Sequence, residues 1–207
     1  MKTRGYFGIG AEGISKPMNF GNLARTAYGF GASFVFTVTA GRRINTPDSD
    51  TPKSQDHMPW YNFDSIDTML LPDKCRLVGI ELTDEAIELP SFRHPTRAAY
   101  ILGPENGSLS PQMTEKCEFI IKIPTQFCLN VATAGAIIMY DRVQSMGRFT
   151  DRPVRAGGPP PGLAGPRPEH VYGKPFYSAG KYQKGKKGRN RLSVVGTRHI
   201  SNEDQSE

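Results

Sequence analysis

Cysteine is scarce in this chain. Its 207 residues hold three, Cys75, Cys117 and Cys128, which lack the even count of a disulfide framework and the CxxC or paired Cys/His spacing of a zinc site. They are expected as reduced thiols, and no metal is expected. Long apolar runs are missing too: no stretch approaches the ~20 residues of a membrane-spanning helix. The basic start Met1-Lys-Thr-Arg-Gly-Tyr-Phe is not followed by the roughly 7–15 apolar residues of a signal peptide. A soluble, cytoplasmic chain is the expectation. An excess of either charge is absent from residues 1–150, which hold 15 Lys+Arg and 15 Asp+Glu. Residues 151–207 hold the other 11 basic and 5 acidic residues, so the net charge of +6 (11 − 5) belongs to that segment. A cation-rich tail on a neutral body attracts a polyanion such as RNA, or else merely solubilises the chain.

Length and composition therefore divide the sequence into a body of one ordinary domain, 1–150, and a tail, 151–207. Pro and Gly make up 7 and 9 of the 57 tail residues, 16 in all, a low-complexity composition. Residues 156–168, with Pro159-Pro160-Pro161, read as an extended linker. Residues 174–191 interleave Lys and Arg with Phe176, Tyr177 and Tyr182, a pattern that offers phosphate contacts and stacking surfaces to single-stranded RNA.

In the body, short strands are expected over 6–9, 33–39, 76–82, 97–102 and 118–123. Helices are expected over 19–30, 64–71, 111–117 and 129–146, with Asn19 as N-cap of the first and Gly29 and Gly31 closing it. Residues 42–62 read as a long polar loop. Strands alternating with helices argue for a parallel sheet flanked by helices, whose ligand edge is the set of loops after the strand C-termini.

One motif misleads. Gly8-Ile-Gly10-Ala-Glu-Gly13 spells the dinucleotide-binding GxGxxG, which needs a helix to follow at once. Here Ser15-Lys-Pro17 intervenes, and the reading is set aside. Three other segments carry more. Pro17-Met-Asn19-Phe-Gly21-Asn22-Leu-Ala-Arg25-Thr26-Ala27 is a helix start on which Arg25 follows Asn19 by about two turns. It reads as a polar cluster, or as an ordinary capped helix with a solvated arginine. Tyr100-Ile-Leu-Gly103-Pro-Glu105-Asn-Gly107-Ser-Leu109-Ser110 is a strand running into a glycine-bearing turn whose one carboxylate is Glu105. It permits close approach by a ligand, or is a plain strand-to-helix turn. In Ile123-Pro-Thr-Gln-Phe-Cys128-Leu129-Asn130-Val-Ala-Thr133-Ala134-Gly, Asn130 is a polar group on an apolar stretch, needing a partner or serving as an N-cap.

In this order and spacing the three segments resemble the signature motifs of the SpoU/TrmH family of S-adenosylmethionine-dependent RNA methyltransferases, in the SPOUT superfamily. The resemblance covers residues 1–150 and is nearest to small single-domain members. It implies an α/β fold, a mostly parallel sheet flanked by helices whose C-terminal segment threads a trefoil knot, and a homodimer. It also implies methyl transfer to a ribose 2′-hydroxyl of RNA, tRNA ahead of rRNA. By position the cofactor contacts would be Ile80, Gly103, Ile123, Cys128 and Leu129. Arg25 would activate the hydroxyl or grip ribose and phosphate, because a guanidinium is a poor base. Asn19, Glu105 and Asn130 would orient it by hydrogen bonds. Cys128 stands where many members have serine, and Ser108 where the pattern has glycine. A rival reading is an RNA-binding protein with the same fold and weak or lost catalysis; rRNA 2′-O-methylation is a further alternative.

Overall fold

The computed structural model describes residues 5–41, 57–147, 149, 152–154 and 156–158, nearly all of the expected body. Residues 42–56 of the expected loop lie outside the described residues. So does the expected tail, apart from residues 152–154 and 156–158, with its basic and aromatic stretch at 174–191.

The strands are β1 (Tyr6–Glu12), β2 (Phe34–Val38), β3 (Trp60–Phe63), β4 (Arg76–Ile80), β5 (Ile87–Glu88), β6 (Arg97–Leu102) and β7 (Phe119–Lys122). The helices are α1 (Pro17–Gly29), α2 (Pro111–Lys116) and α3 (Val131–Met146). The strands form one seven-stranded sheet in the order β3-β2-β1-β6-β4-β7-β5, and every pairing in it is parallel. Such a sheet is covered on both faces, so its central strands read as continuous apolar runs; all of β2 is buried, and all of β6 after Arg97. Apolar residues of α1 and α3, among them Phe20, Leu23, Ile138 and Met139, pack on one face with Ile9, Val35 and Tyr100. Phe34, Phe36, Ile101, Leu109 and Met113 fill the other.

The discarded glycine motif finds its explanation in β1. Gly8 and Gly10 lie inside the strand, where a Cβ at position 8 would stand 2.3 Å from the Phe34 ring and one at position 10 would stand 2.4 Å from the Phe36 carbonyl oxygen. These glycines make room for the aromatic side of β2, a packing role without any phosphate loop.

Three local expectations are corrected. Helix α1 starts at Pro17 with Lys16 as N-cap, because proline at the first helical position has no N–H to satisfy. Asn19 is therefore inside the helix and its side chain is spent elsewhere. Residues 64–71 form turns in place of a helix. There the Ser65 and Thr68 side chains each accept the other's backbone N–H (3.2 and 3.3 Å), a local bonding that competes with helix. The polar stretch 42–62 ends in an edge strand, β3, and the two-residue β5 had no counterpart among the expectations.

A buried polar cluster fixes the end of α3 to the start of the sheet. Arg142, 5% exposed, donates to the carbonyls of Pro95 (2.7 Å), Thr96 (3.1 Å) and Tyr6 (3.3 Å) and to the Tyr100 hydroxyl (3.0 Å). Its guanidinium carbon lies 5.2 Å from the centre of the Phe7 ring. His94 sits between the Tyr100 hydroxyl (2.6 Å) and Asp141 (2.9 Å). A carboxylate only accepts, so the His94 Nε2 carries the hydrogen and Nδ1 accepts from Tyr100. Burial, reinforced by the Arg142 charge, lowers the His94 pKa against the opposing pull of Asp141.

Candidate functional site

The C-terminal edge of the sheet holds a cleft of about 350 Å³, in the size range of small-molecule sites. The loops after β4, β6 and β7 and the starts of α1 and α3 wall it. Of the nine site residues expected from the sequence, eight line it: Asn19, Ile80, Gly103, Glu105, Ile123, Cys128, Leu129 and Asn130. The ninth, Arg25, is exposed on α1 and is not among the lining residues.

Three of the eight form a directed hydrogen-bond chain. Asn130 caps α3, its Oδ1 accepting the N–H groups of Ala132 (2.9 Å) and Thr133 (3.4 Å). That fixes which end of its amide faces out: Nδ2 donates to Asn19 Oδ1 at 3.0 Å, and Asn19 Nδ2 donates to Glu105 Oε1 at 3.0 Å. Both amides are thus oriented by partners that can only donate at one end and only accept at the other. Glu105 also accepts the Lys16 N–H (3.0 Å), the Ser15 N–H (3.1 Å) and the Ser15 hydroxyl (3.1 Å). Partial burial pushes its carboxyl pKa up. Hydrogen bonds from its own N–H, Asn19, Ser15 and Lys16 outweigh this and hold the pKa below the ordinary carboxylate value. A carboxylate so engaged organises the loop and is poorly placed to take up a proton.

Sequence reasoning missed four contributors. Among the described residues Lys16 is the only cation lining the cleft, and its backbone serves Glu105 while its side chain is exposed. Ser15 gives Glu105 two of its donors. Glu81 lines the cleft and accepts from Leu109 N (2.8 Å) and Leu82 N (3.0 Å). Glu12, 6% exposed, accepts both the N–H (2.9 Å) and the hydroxyl (2.6 Å) of Ser110. Only Pro17 signalled any of this, since a proline at N1 makes the residue before it the cap. Among the described residues no group of three or more His, Cys, Asp or Glu could hold a metal ion, and no helix is long and apolar enough to cross a membrane.

The lining also includes the apolar side chains of Ile80, Leu102, Ile123 and Leu129. Apolar side chains together with the Glu105 carboxylate suit a flat heteroaromatic group that carries a positive charge nearby. Cys128 is exposed and lines the same cleft.

Residues 7–140 match the sequence profile of the SpoU rRNA Methylase family. Among curated proteins the chain is similar to the mouse tRNA (guanosine(18)-2'-O)-methyltransferase TARBP1, 26% identical over 146 residues, which are 65% of this chain and 9% of that protein. An uncharacterized tRNA/rRNA methyltransferase of Archaeoglobus fulgidus is 28% identical over 148 residues, 67% of this chain and 64% of that one. The chain thus spans less than two thirds of the length of either relative. Among solved structures, one determined for the 2-OH methylation of C/U34 on tRNA matches with a TM-score of 0.61 at 21% identity, covering 70% of this chain and 94% of the other. An AdoMet-bound rRNA methyltransferase from Sinorhizobium meliloti matches at 0.61 and 18%, covering 68% and 57%.

Proposed function

Because the chain belongs to the SpoU family of RNA methyltransferases, we propose that it uses S-adenosylmethionine to methylate a ribose 2′-hydroxyl of RNA, with tRNA favoured over rRNA. The observation that carries the reading is the convergence of eight expected site residues on one cleft, three of them in a single oriented hydrogen-bond chain. The tRNA preference leans on a relative named for a tRNA 2'-O-methyltransferase activity and on a solved fold studied on tRNA. The S-adenosylmethionine assignment leans on a relative of the same fold with AdoMet bound.

The cleft fits the cofactor in chemistry as well as size. Ile80, Leu102, Ile123 and Leu129 would hold the adenine, with backbone groups of the loops at Gly103 and Cys128 fixing its edge. Glu105 would favour the sulfonium charge. When bound, the cofactor supplies a methyl group on a good leaving group, so the protein's task is alignment and the management of one proton. Asn130 Nδ2 keeps a second hydrogen beyond the one given to Asn19 and can offer it to a ribose oxygen. Asn19 and Glu105 hold that amide in place, and the Lys16 ammonium meets phosphate at the cleft mouth.

Arg25 enters the same proposal from outside its own cleft. Either RNA phosphate or a second copy of the chain must bring substrate to its guanidinium. A homodimer fits the apolar side chains left exposed beside the α1–α3 pair, Met18 (61%), Phe127 (79%) and Tyr140 (55%). The knotted C-terminal path and an accessory RNA-binding role for the basic tail belong to this reading too; truncation at residue 150 should lower RNA affinity and flatten its salt dependence.

The deciding experiment gives the full chain labelled S-adenosylmethionine with separate tRNA and rRNA pools, maps the modified ribose, and repeats the assay with Arg25→Ala. Label in 2′-O-methylated tRNA that disappears with the variant is expected. Absence of cofactor binding by calorimetry would overturn the proposal, whereas RNA binding and cofactor binding without transfer would leave a non-catalytic RNA-binding protein.

A further inference from the structure

Loop 103–110, which forms one wall of the cleft, is held from two sides by carboxylates outside the three motifs. The register shows why they reach it. Ala11 and Ile80 are both paired with Leu102, on either side of β6. One residue further along each strand, Glu12, Gly103 and Glu81 stand level, and neighbours in register on parallel strands send their side chains to the same face. Gly103 has no side chain to send. A Cβ there would stand 2.9 Å from Leu109 N and 3.1 Å from the Ser108 carbonyl carbon, so the loop folds back onto the space that the glycine leaves free. Glu81 then accepts the Leu109 N–H at 2.8 Å, and Glu12 accepts the Ser110 N–H and hydroxyl. Leu109 is buried against the apolar core of that face.

We propose that Glu81 is a positioning residue for cofactor binding: its carboxylate draws the Leu109 N–H down over Gly103 and so sets the shape of the cleft wall carrying Gly103, Pro104, Glu105 and Gly107. Its other oxygen takes the Leu82 N–H at 3.0 Å, which fixes the carboxylate in the plane that the loop needs. Glu12 anchors the next residue and, being buried, is the more structural of the pair. This inference rests on the reading of the cleft as an S-adenosylmethionine site. It also gives Gly103 a role besides exposing backbone to the cofactor, namely admitting the return of its own loop.

Glutamine at 81 keeps the size but can accept only one of the two N–H groups, since its other terminus donates. The test is calorimetric titration of the full chain with S-adenosylmethionine, paired with steady-state kinetics and with amide exchange at Leu109. Glu81→Gln is expected to weaken cofactor binding about 10-fold, or roughly 1.4 kcal/mol, and to speed exchange at Leu109. At saturating cofactor kcat should stay within about threefold. Gly103→Ala pushes the loop off at the same point, so its effect and that of Glu81→Gln should fall well short of additive. If Glu81→Gln does not fold, Glu81→Asp, one methylene short of the loop, carries the same expectation. Cofactor affinity within twofold of the parent chain, or a fall in kcat with affinity unchanged, would overturn the proposal. Failure of the parent chain to bind the cofactor would instead overturn the functional reading beneath it.

Discussion

Asn130 performs two tasks through two different atoms, and one substitution separates them. Its Oδ1 caps α3 and its Nδ2 drives the chain to Asn19 and Glu105. Aspartate at 130 keeps the capping oxygen and adds a negative charge at a helix N-terminus, which is favourable by about 0.3–1 kcal/mol. It also places a second acceptor against Asn19 Oδ1. Asn19 cannot escape by turning its amide, because its oxygen would then face Glu105, which already receives four donors from Ser15, Lys16 and Asn19. The chain therefore loses one hydrogen bond, about 1 kcal/mol, plus the repulsion of two facing oxygens, together on the order of 2 kcal/mol at the site. Activity should fall about 30-fold, while Tm falls by only a few degrees, because the added charge at the helix start offsets part of the loss. Alanine at 130 loses both tasks; forfeiting the cap costs about 1 kcal/mol, a Tm fall of roughly 2–8 °C for a domain of this size. The assay is initial rate of methyl transfer beside thermal unfolding of the parent and both variants. An Asn130→Asp chain with parental activity would refute the reasoning, since it would show that the amide hydrogen directed at Asn19 does nothing for catalysis.

Cys128 should react with iodoacetamide ahead of Cys75 and Cys117, whose thiol pKa values burial pushes up, to about 12 for Cys117. S-adenosylmethionine should slow that reaction; mass spectrometry finding equal rates with and without it would place the cofactor elsewhere. Lys16→Gln leaves the backbone N–H on Glu105 intact, so it should raise KM for RNA several-fold without changing cofactor affinity; unchanged RNA binding at two salt concentrations would contradict a phosphate contact. Burial holds the His94 pKa below 6.5, so the unfolded chain binds the extra proton first and stability must fall as pH drops below about 6.5. His94→Gln should flatten the Tm profile over that interval, and a slope identical to the parent's would exclude His94 as its source.

Much of the sheet was legible because its central strands are buried on both faces and therefore spell their own boundaries. Strand β6 was expected over 97–102 and is found at Arg97–Leu102, closed by Gly103-Pro104. Edge elements gave weaker signals. Both residues of β5 are exposed, so no apolar pattern marks them, and β3 lies at the end of a polar stretch. Residues 64–71 carry Ile66 and Met69 at a helical spacing of three, and both are buried; a turn buries that pair as well as a helix does.

Site residues divided along a similar line. Asn19, Glu105 and Asn130 could be named because each sits in a run of neighbours whose spacing is itself a signal. Glu12 and Glu81 sit in no such run, and their partners lie 98 and 28 residues away. A strand's two-residue period says that a side chain alternates faces, but not which strand will stand beside it. Once the order β1-β6-β4 is known, the level placement of Glu12, Gly103 and Glu81 follows from counting along the pairs Ala11–Leu102 and Ile80–Leu102, and a glycine between two carboxylates becomes a place for a returning loop to hang its N–H groups. The crossover that inserts β6 between β1 and β4 thus determines the cleft wall, and the residues that secure it become recognisable only after that insertion is known.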